Sequence, residues 1–174
     1  MKHITLILCA LLLSLTSFAQ MTYDTDFTQT KVMKLSGKTT LKAGHLVFDG
    51  NDHLTMNYSD PKGEYFIVEG NLVKMNMNGT KTTLDAEKMN KVKLQRATLL
   101  NCLSGNWEQA AADNEAELII KEENGMRNVL IQTKGKVSKS GYSSVELTYR
   151  LSDGMLTKMI LDEAIGIKNI YELK

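Results

Sequence analysis

The sequence predicts a mainly β fold with an α contribution (α+β), an open antiparallel half-barrel with a helical lid on its concave face. Three observations predict it. Short apolar-alternating runs recur between turn residues in both halves of the chain, and one long stretch without Gly or Pro sits between them. No strand–helix–strand rhythm occurs, so the strands pair as sequential antiparallel neighbours.

The N-terminus carries a leader. Lys2 and His3 form a polar start, Ile4 to Leu15 is a short apolar run, and Ser17-Phe18-Ala19 is a small-x-small cleavage signal. Residues 1–19 are therefore expected to be a signal peptide cleaved near Ala19-Gln20, leaving one exported domain over 20–174. The apolar run is too short to span a bilayer comfortably, and no later run reaches about eighteen apolar residues. Cys9 lies inside that run behind Ile7 and Leu8, where a lipidation signal needs small residues. The whole chain carries 21 Lys and Arg against 20 Asp and Glu, a charge of +1, and removing Lys2 brings it to 0. Cys102 is then the single cysteine, so no intramolecular disulfide forms and the core must supply the stability. Zero charge without a basic run argues against nucleic acid or an anionic membrane surface as partner.

Residues 21–30 read as a short helix or the start of a strand. Lys31 to Phe48 reads as a hairpin about Ser36-Gly37-Lys38. From Gly44 to Thr83 the alternation is clearest, in the runs His45–Phe48, Leu54–Tyr58, Glu64–Val68 and Leu72–Met77. Asp49 to Asp52, Ser59 to Gly63, Glu69-Gly70-Asn71 and Asn78-Gly79 supply the reversals, and Pro61 falls in a loop where its missing N–H costs no ladder bond. Period-2 alternation places Leu46, Phe48, Leu54, Met56, Tyr58, Phe66, Val68, Val73, Met75 and Met77 on one face. That methionine-rich face is either a packed core or the wall of a site for a hydrocarbon ligand.

Asp85 to Ser104 predicts a helix, opened by Asp85 as N-cap and stopped by Gly105. Met89, Val92, Leu99, Cys102 and Leu103 share one face; Leu94 and Leu100 lie partly outside it. Asn106 to Asn114 adds a short helical turn around Trp107. Alternation then returns in Glu117–Lys121, Met126–Thr133, Ser144–Leu151, Met155–Leu161 and Ile167–Leu173.

Catalytic and metal chemistry has no visible candidate. His45 and His53 lack metal-ligand spacing, and no nucleophile elbow, P-loop or dinucleotide fingerprint occurs. Asp49 to His53 lacks the spacing and closing glutamate of a calcium loop and reads as a turn. Asn57-Tyr58-Ser59 and Asn78-Gly79-Thr80 match the glycosylation pattern but read as strand and turn, Glu122-Glu123 reads as a solvated pair, and Cys102 as a buried apolar residue. No catalytic residue, metal or cofactor is expected, and the chain is expected not to be an enzyme.

The order of features resembles the periplasmic outer-membrane lipoprotein carrier family, the LolA-like proteins. The resemblance rests on Phe27-Thr28-Gln29-Thr30, on Gly44-His45-Leu46-Val47-Phe48, on Pro61 before an apolar strand, on Val68-Glu69-Gly70-Asn71, and on Asp153-Gly154-Met155-Leu156 leading into Leu161-Asp162. It covers most of the mature chain. It implies a periplasmic carrier whose open barrel takes lipoprotein acyl chains, with the ten face residues from Leu46 to Met77 lining the cavity and Met89, Val92, Leu99 and Leu103 forming the lid. Its implied partners are acylated lipoproteins, an inner-membrane ABC-type release complex and an outer-membrane acceptor, and the carrier is expected to act as a monomer. Many members of the family place an arginine and a proline after the second strand to tie the lid; here that position reads Gly50-Asn51. Two alternatives stand beside the carrier: a LolA-like lipid-binding or envelope-sensing module that ferries nothing, and an envelope enzyme, which would need a cluster of perturbed polar residues in the cavity.

Overall fold

The computed structural model describes residues 21–135 and 140–174, so the leader and its cleavage site lie outside the described residues. Eleven strands form one antiparallel sheet: β1 (Tyr23–Met33), β2 (Thr39–Phe48), β3 (His53–Asp60), β4 (Tyr65–Glu69), β5 (Leu72–Met77), β6 (Thr80–Asp85), β7 (Ala116–Glu123), β8 (Met126–Thr133), β9 (Tyr142–Arg150), β10 (Leu156–Glu163) and β11 (Ile167–Leu173). Their spatial order is β6-β5-β4-β3-β2-β1-β11-β10-β9-β8-β7. The first and last strands thus meet in the middle, and the edges β6 and β7 stay unpaired with one another, so the barrel is open. The chain between those edges forms α1 (Asn90–Leu103) and α2 (Trp107–Asp113), which pack on the concave face.

Cross-strand register explains the core. Tyr23, Phe48, Leu54, Val68, Val73 and Leu84 stand opposite one another in turn and form one apolar row from β1 to β6. The neighbouring row runs through Leu46, Met56, Phe66 and Met75. Opposing side chains on one sheet face lie close enough to pack, which makes such rows the unit of sheet stability. A third row holds Phe27 opposite Gly44, and Gly44 opposite Tyr58. Gly44 is required there: a Cβ would stand against the Asn57 carbonyl oxygen and 2.9 Å from the Phe27 ring. The bare backbone lets Phe27 lie across β2 and meet Tyr58 edge-on, ring centres 5.3 Å apart.

Of the two alternatives for residues 21–30 the strand is the one formed, β1 beginning at Tyr23 in the centre of the sheet. Two expectations are corrected. Asn78-Gly79 does reverse the chain, both residues having positive φ, but it leads into the strand β6, whose Thr-rich sequence lacks apolar alternation. The helix expected from Asp85 starts later. The Asp85 carboxylate accepts Glu87 N–H at 3.0 Å and caps a 3₁₀ turn, Ala86–Lys88, after which Met89 is extended and α1 begins at Asn90. Met89 therefore precedes the helix and is 45% exposed, so it does not cover the concave face as a lid residue.

Candidate functional site: a cavity beneath the first helix

The helices fill only part of the concavity. Near the start of β1, Trp107 Nε1 donates to Tyr149 Oη at 2.8 Å and Tyr149 Oη donates to the Cys102 carbonyl at 2.6 Å, fastening both helices to β9. Thr98, Asn114 and Ser140 extend the fastening: Asn114 Nδ2 donates to Thr98 Oγ1 at 2.8 Å, and the Ser140 hydroxyl donates to the Asn114 side-chain oxygen. Leu103 and Cys102 are wholly buried there, and burial pushes the Cys102 thiol up to about 12.

Toward the other end the concavity holds an open-mouthed cavity of about 270 Å³. Met56, Tyr58, Phe66 and Met77 form one wall, Met159, Leu161 and Tyr171 the opposite one, and Leu99 of α1 and Tyr142 also line it. A smaller space of about 110 Å³ lies beside it against Val73, Met75, Leu84 and Val92, and shares Phe66, Leu99 and Tyr142 with it. Methionine suits such walls because its unbranched, polarizable side chain conforms to irregular contacts.

The ten face residues divide accordingly. Met56, Tyr58, Phe66 and Met77 line the larger cavity; Val73 and Met75, with Phe66, line the smaller one. Leu46, Phe48, Leu54 and Val68 line neither and are packed core. Of the helix residues, Leu99 lines both spaces, Val92 the smaller, and Leu103 is core.

Sequence reasoning missed the polar end of the larger cavity. Tyr58 Oη donates to Gln29 Oε1 at 2.9 Å, and Gln29 Nε2 donates to Tyr171 Oη at 3.1 Å and Asn169 Oδ1 at 3.0 Å. Asn169 Nδ2 donates to Glu163 Oε1 at 2.9 Å. Burial holds the Tyr58 and Tyr171 hydroxyls well above the usual phenol range, so both stay protonated and neutral. Lys42 pairs with Glu64, with side chains 13% and 6% exposed, and Asn78 N–H donates to the same carboxylate at 2.8 Å. Burial raises the Glu64 pKa, but the Lys42 and Asn78 hydrogen bonds outweigh it and hold the carboxyl below its ordinary value. The available signal was parity: Gln29 and Lys31 share the period-2 parity of Phe27, and Lys42 that of Gly44 and Leu46, so all face inward. Among the described residues no three His, Cys, Asp or Glu side chains cluster to hold a metal.

This arrangement, an open antiparallel half-barrel with an apolar cavity under a helix, meets a sequence comparison that decides the family. The profile described as "Outer membrane lipoprotein carrier protein LolA" matches residues 19–174. The chain belongs to the LolA family. Solved structures resemble it at low identity. A LolA superfamily protein of Nitrosomonas europaea shares 10% identity over 90% of this chain and 85% of its own, with a TM-score of 0.41. The MucA/MucB complex of Pseudomonas aeruginosa gives 12%, 86%, 50% and 0.46, and LprF of Mycobacterium bovis 13%, 87%, 84% and 0.34. Among curated protein sequences none matches the chain.

Proposed function

We propose that this LolA family member is a periplasmic carrier that holds the acyl chains of lipoproteins in its concavity and delivers them to the outer membrane. The observation that carries this reading is the cavity left between Leu99 and the methionine-bearing strands. Its size sets the mechanism. At about 270 Å³ it falls just below the roughly 300–1,000 Å³ of small-ligand sites, so the closed form has room for about one short chain. Further chains require α1 to move off the sheet. Each buried methylene contributes about 0.8 kcal/mol, so a few chains offset the lost contacts of Val92 and Leu99. The fastened Cys102–Trp107 corner acts as the pivot, and the Val92 end swings. An inner-membrane ABC-type complex would load the carrier and an outer-membrane acceptor would unload it. No chemical step is assigned to the protein, which acts by binding alone.

Co-expression with a triacylated lipoprotein tests this: the carrier should retain the acylated protein and not its unacylated variant. Unchanged lipoprotein sorting after depletion of the carrier would overturn ferrying. One observation favours a second reading, a lipid-binding or envelope-sensing module. The β2–β3 turn, where many relatives place the lid-tying arginine, is self-contained here, the Asp49 carboxylate accepting Asn51 N–H at 2.8 Å and His53 N–H at 3.2 Å. Stable lipid binding without transfer between two vesicle populations would favour that module.

A further inference from the structure

We infer that the cavity selects an amphiphile with an anionic head, a carboxylate or phosphate on a single hydrocarbon chain, and that Lys31 and Lys42 hold the head while the tail lies toward Leu99. The inference rests on the concavity taking hydrocarbon, as proposed above, and adds which end of the ligand goes where.

The sheet register builds the site. Gln29 stands opposite Lys42 on β2 and Tyr171 on β11, and Lys31 stands opposite Asn169. Lys31 and Lys42 are therefore diagonal neighbours on one face, with an expected separation of about 7 Å. All five side chains line the cavity. The polar band crosses the three central strands at one end, and the apolar walls begin beside it. A hydrocarbon chain alone would gain nothing from this band, because each buried polar group costs free energy unless it is hydrogen-bonded.

The charges at this end are unequally satisfied. Glu64 is engaged by Lys42 and by Asn78 N–H, and Glu163, which also lines the cavity without an ion-pair partner among the described residues, is occupied by the Asn169 amide. Lys31 also lines the cavity and has no ion-pair partner among the described residues. An ammonium facing a partly dry cavity favours an anion, and charge-assisted hydrogen bonds are about twice as strong as neutral ones. With room for about one chain in the closed form, the fitting ligand has one tail and one compact anionic group.

Calorimetric titration of the exported chain tests this with dodecanoate, dodecyl phosphate, dodecanol, methyl dodecanoate and inorganic phosphate. Dodecanoate and dodecyl phosphate should bind at least about tenfold more tightly than dodecanol or the ester. Lys31→Met should abolish that preference by bringing dodecanoate and dodecyl phosphate down to the affinity of dodecanol for the same variant, and Lys31→Arg should retain it; matched thermal unfolding shows that both variants are folded. Equal binding of dodecanoate and dodecanol by the unaltered protein overturns the head-group inference alone, as does a preference surviving Lys31→Met. Inorganic phosphate binding as tightly as dodecyl phosphate also overturns it, marking a free-anion site. If no chain-bearing probe binds, the hydrocarbon reading itself fails.

Discussion

Trp107 and Tyr149 hold one another across the helix–sheet boundary, indole N–H to phenol oxygen at 2.8 Å with ring centres 5.2 Å apart, and the Tyr149 hydroxyl in turn donates a hydrogen bond to the Cys102 carbonyl. Tyr149→Phe keeps the packing but leaves the buried indole N–H without that acceptor. An unsatisfied buried donor costs about 1–3 kcal/mol. The unfolding free energy from urea titration should fall by that amount, seen as a lower midpoint with an unchanged slope.

The same corner supplies a reporter of whether the proposed pivot stays closed. Cys102 is fully buried and its thiol is pushed up to about 12, so a thiol reagent at neutral pH should label it only after opening. Labelling of the unliganded protein should be slow, and much faster for Tyr149→Phe. Acyl ligand should leave labelling slow, because the Val92 end is the part that moves; faster labelling on loading would overturn the fixed pivot.

Leu99 stands between the two spaces beneath α1. Leu99→Ala should merge them, cost about 2–5 kcal/mol as a cavity-forming change, and raise uptake of a fluorescent acyl probe. Leu99→Trp should fill the space and reduce uptake. Equal uptake by both variants would place acyl binding elsewhere.

Gly44→Ala tests the close crossing of Phe27 over β2. The added methyl meets the Asn57 backbone and the Phe27 ring, neither of which has a free path away. Overpacking of this kind costs about 1–3 kcal/mol. Thermal unfolding should show a lowered midpoint, and Phe27→Leu in the same chain should recover part of it.

His45 lies on the outer face between two carboxylates, Nδ1 3.0 Å from Asp26 and Nε2 2.7 Å from Asp24. The hydrogen bond with Asp26, then that with Asp24, raises its pKa above the ordinary histidine value, and the His45 bond lowers that of Asp26. A raised histidine pKa adds stability that is complete below the unfolded value of 6.5 and fades as pH rises through the folded value. The lowered Asp26 pKa adds stability present above its unfolded value of 3.8 and lost as pH falls through the folded one. Proton NMR titration should find His45 elevated in the folded chain, and Asp26→Asn should bring it down. All three groups are exposed, so the effect on overall stability should be small and salt-sensitive.

The sequence by itself determined most of the strands along the chain but not β6, together with the turns, the break for the helices and the inward parity of most apolar residues, because period-2 alternation and turn chemistry are local. Only the tertiary structure decided which inward residues are core and which are wall. Phe48 and Met56 carry the same signal, yet the first lies in the packed row from Tyr23 to Leu84 and the second faces open space, because α1 and α2 are too short to cover the whole concavity. The polar band likewise joins Gln29 to Asn169 and Tyr171, from opposite ends of the chain. Such a partnership exists only after β1 and β11 have paired, which no local pattern specifies.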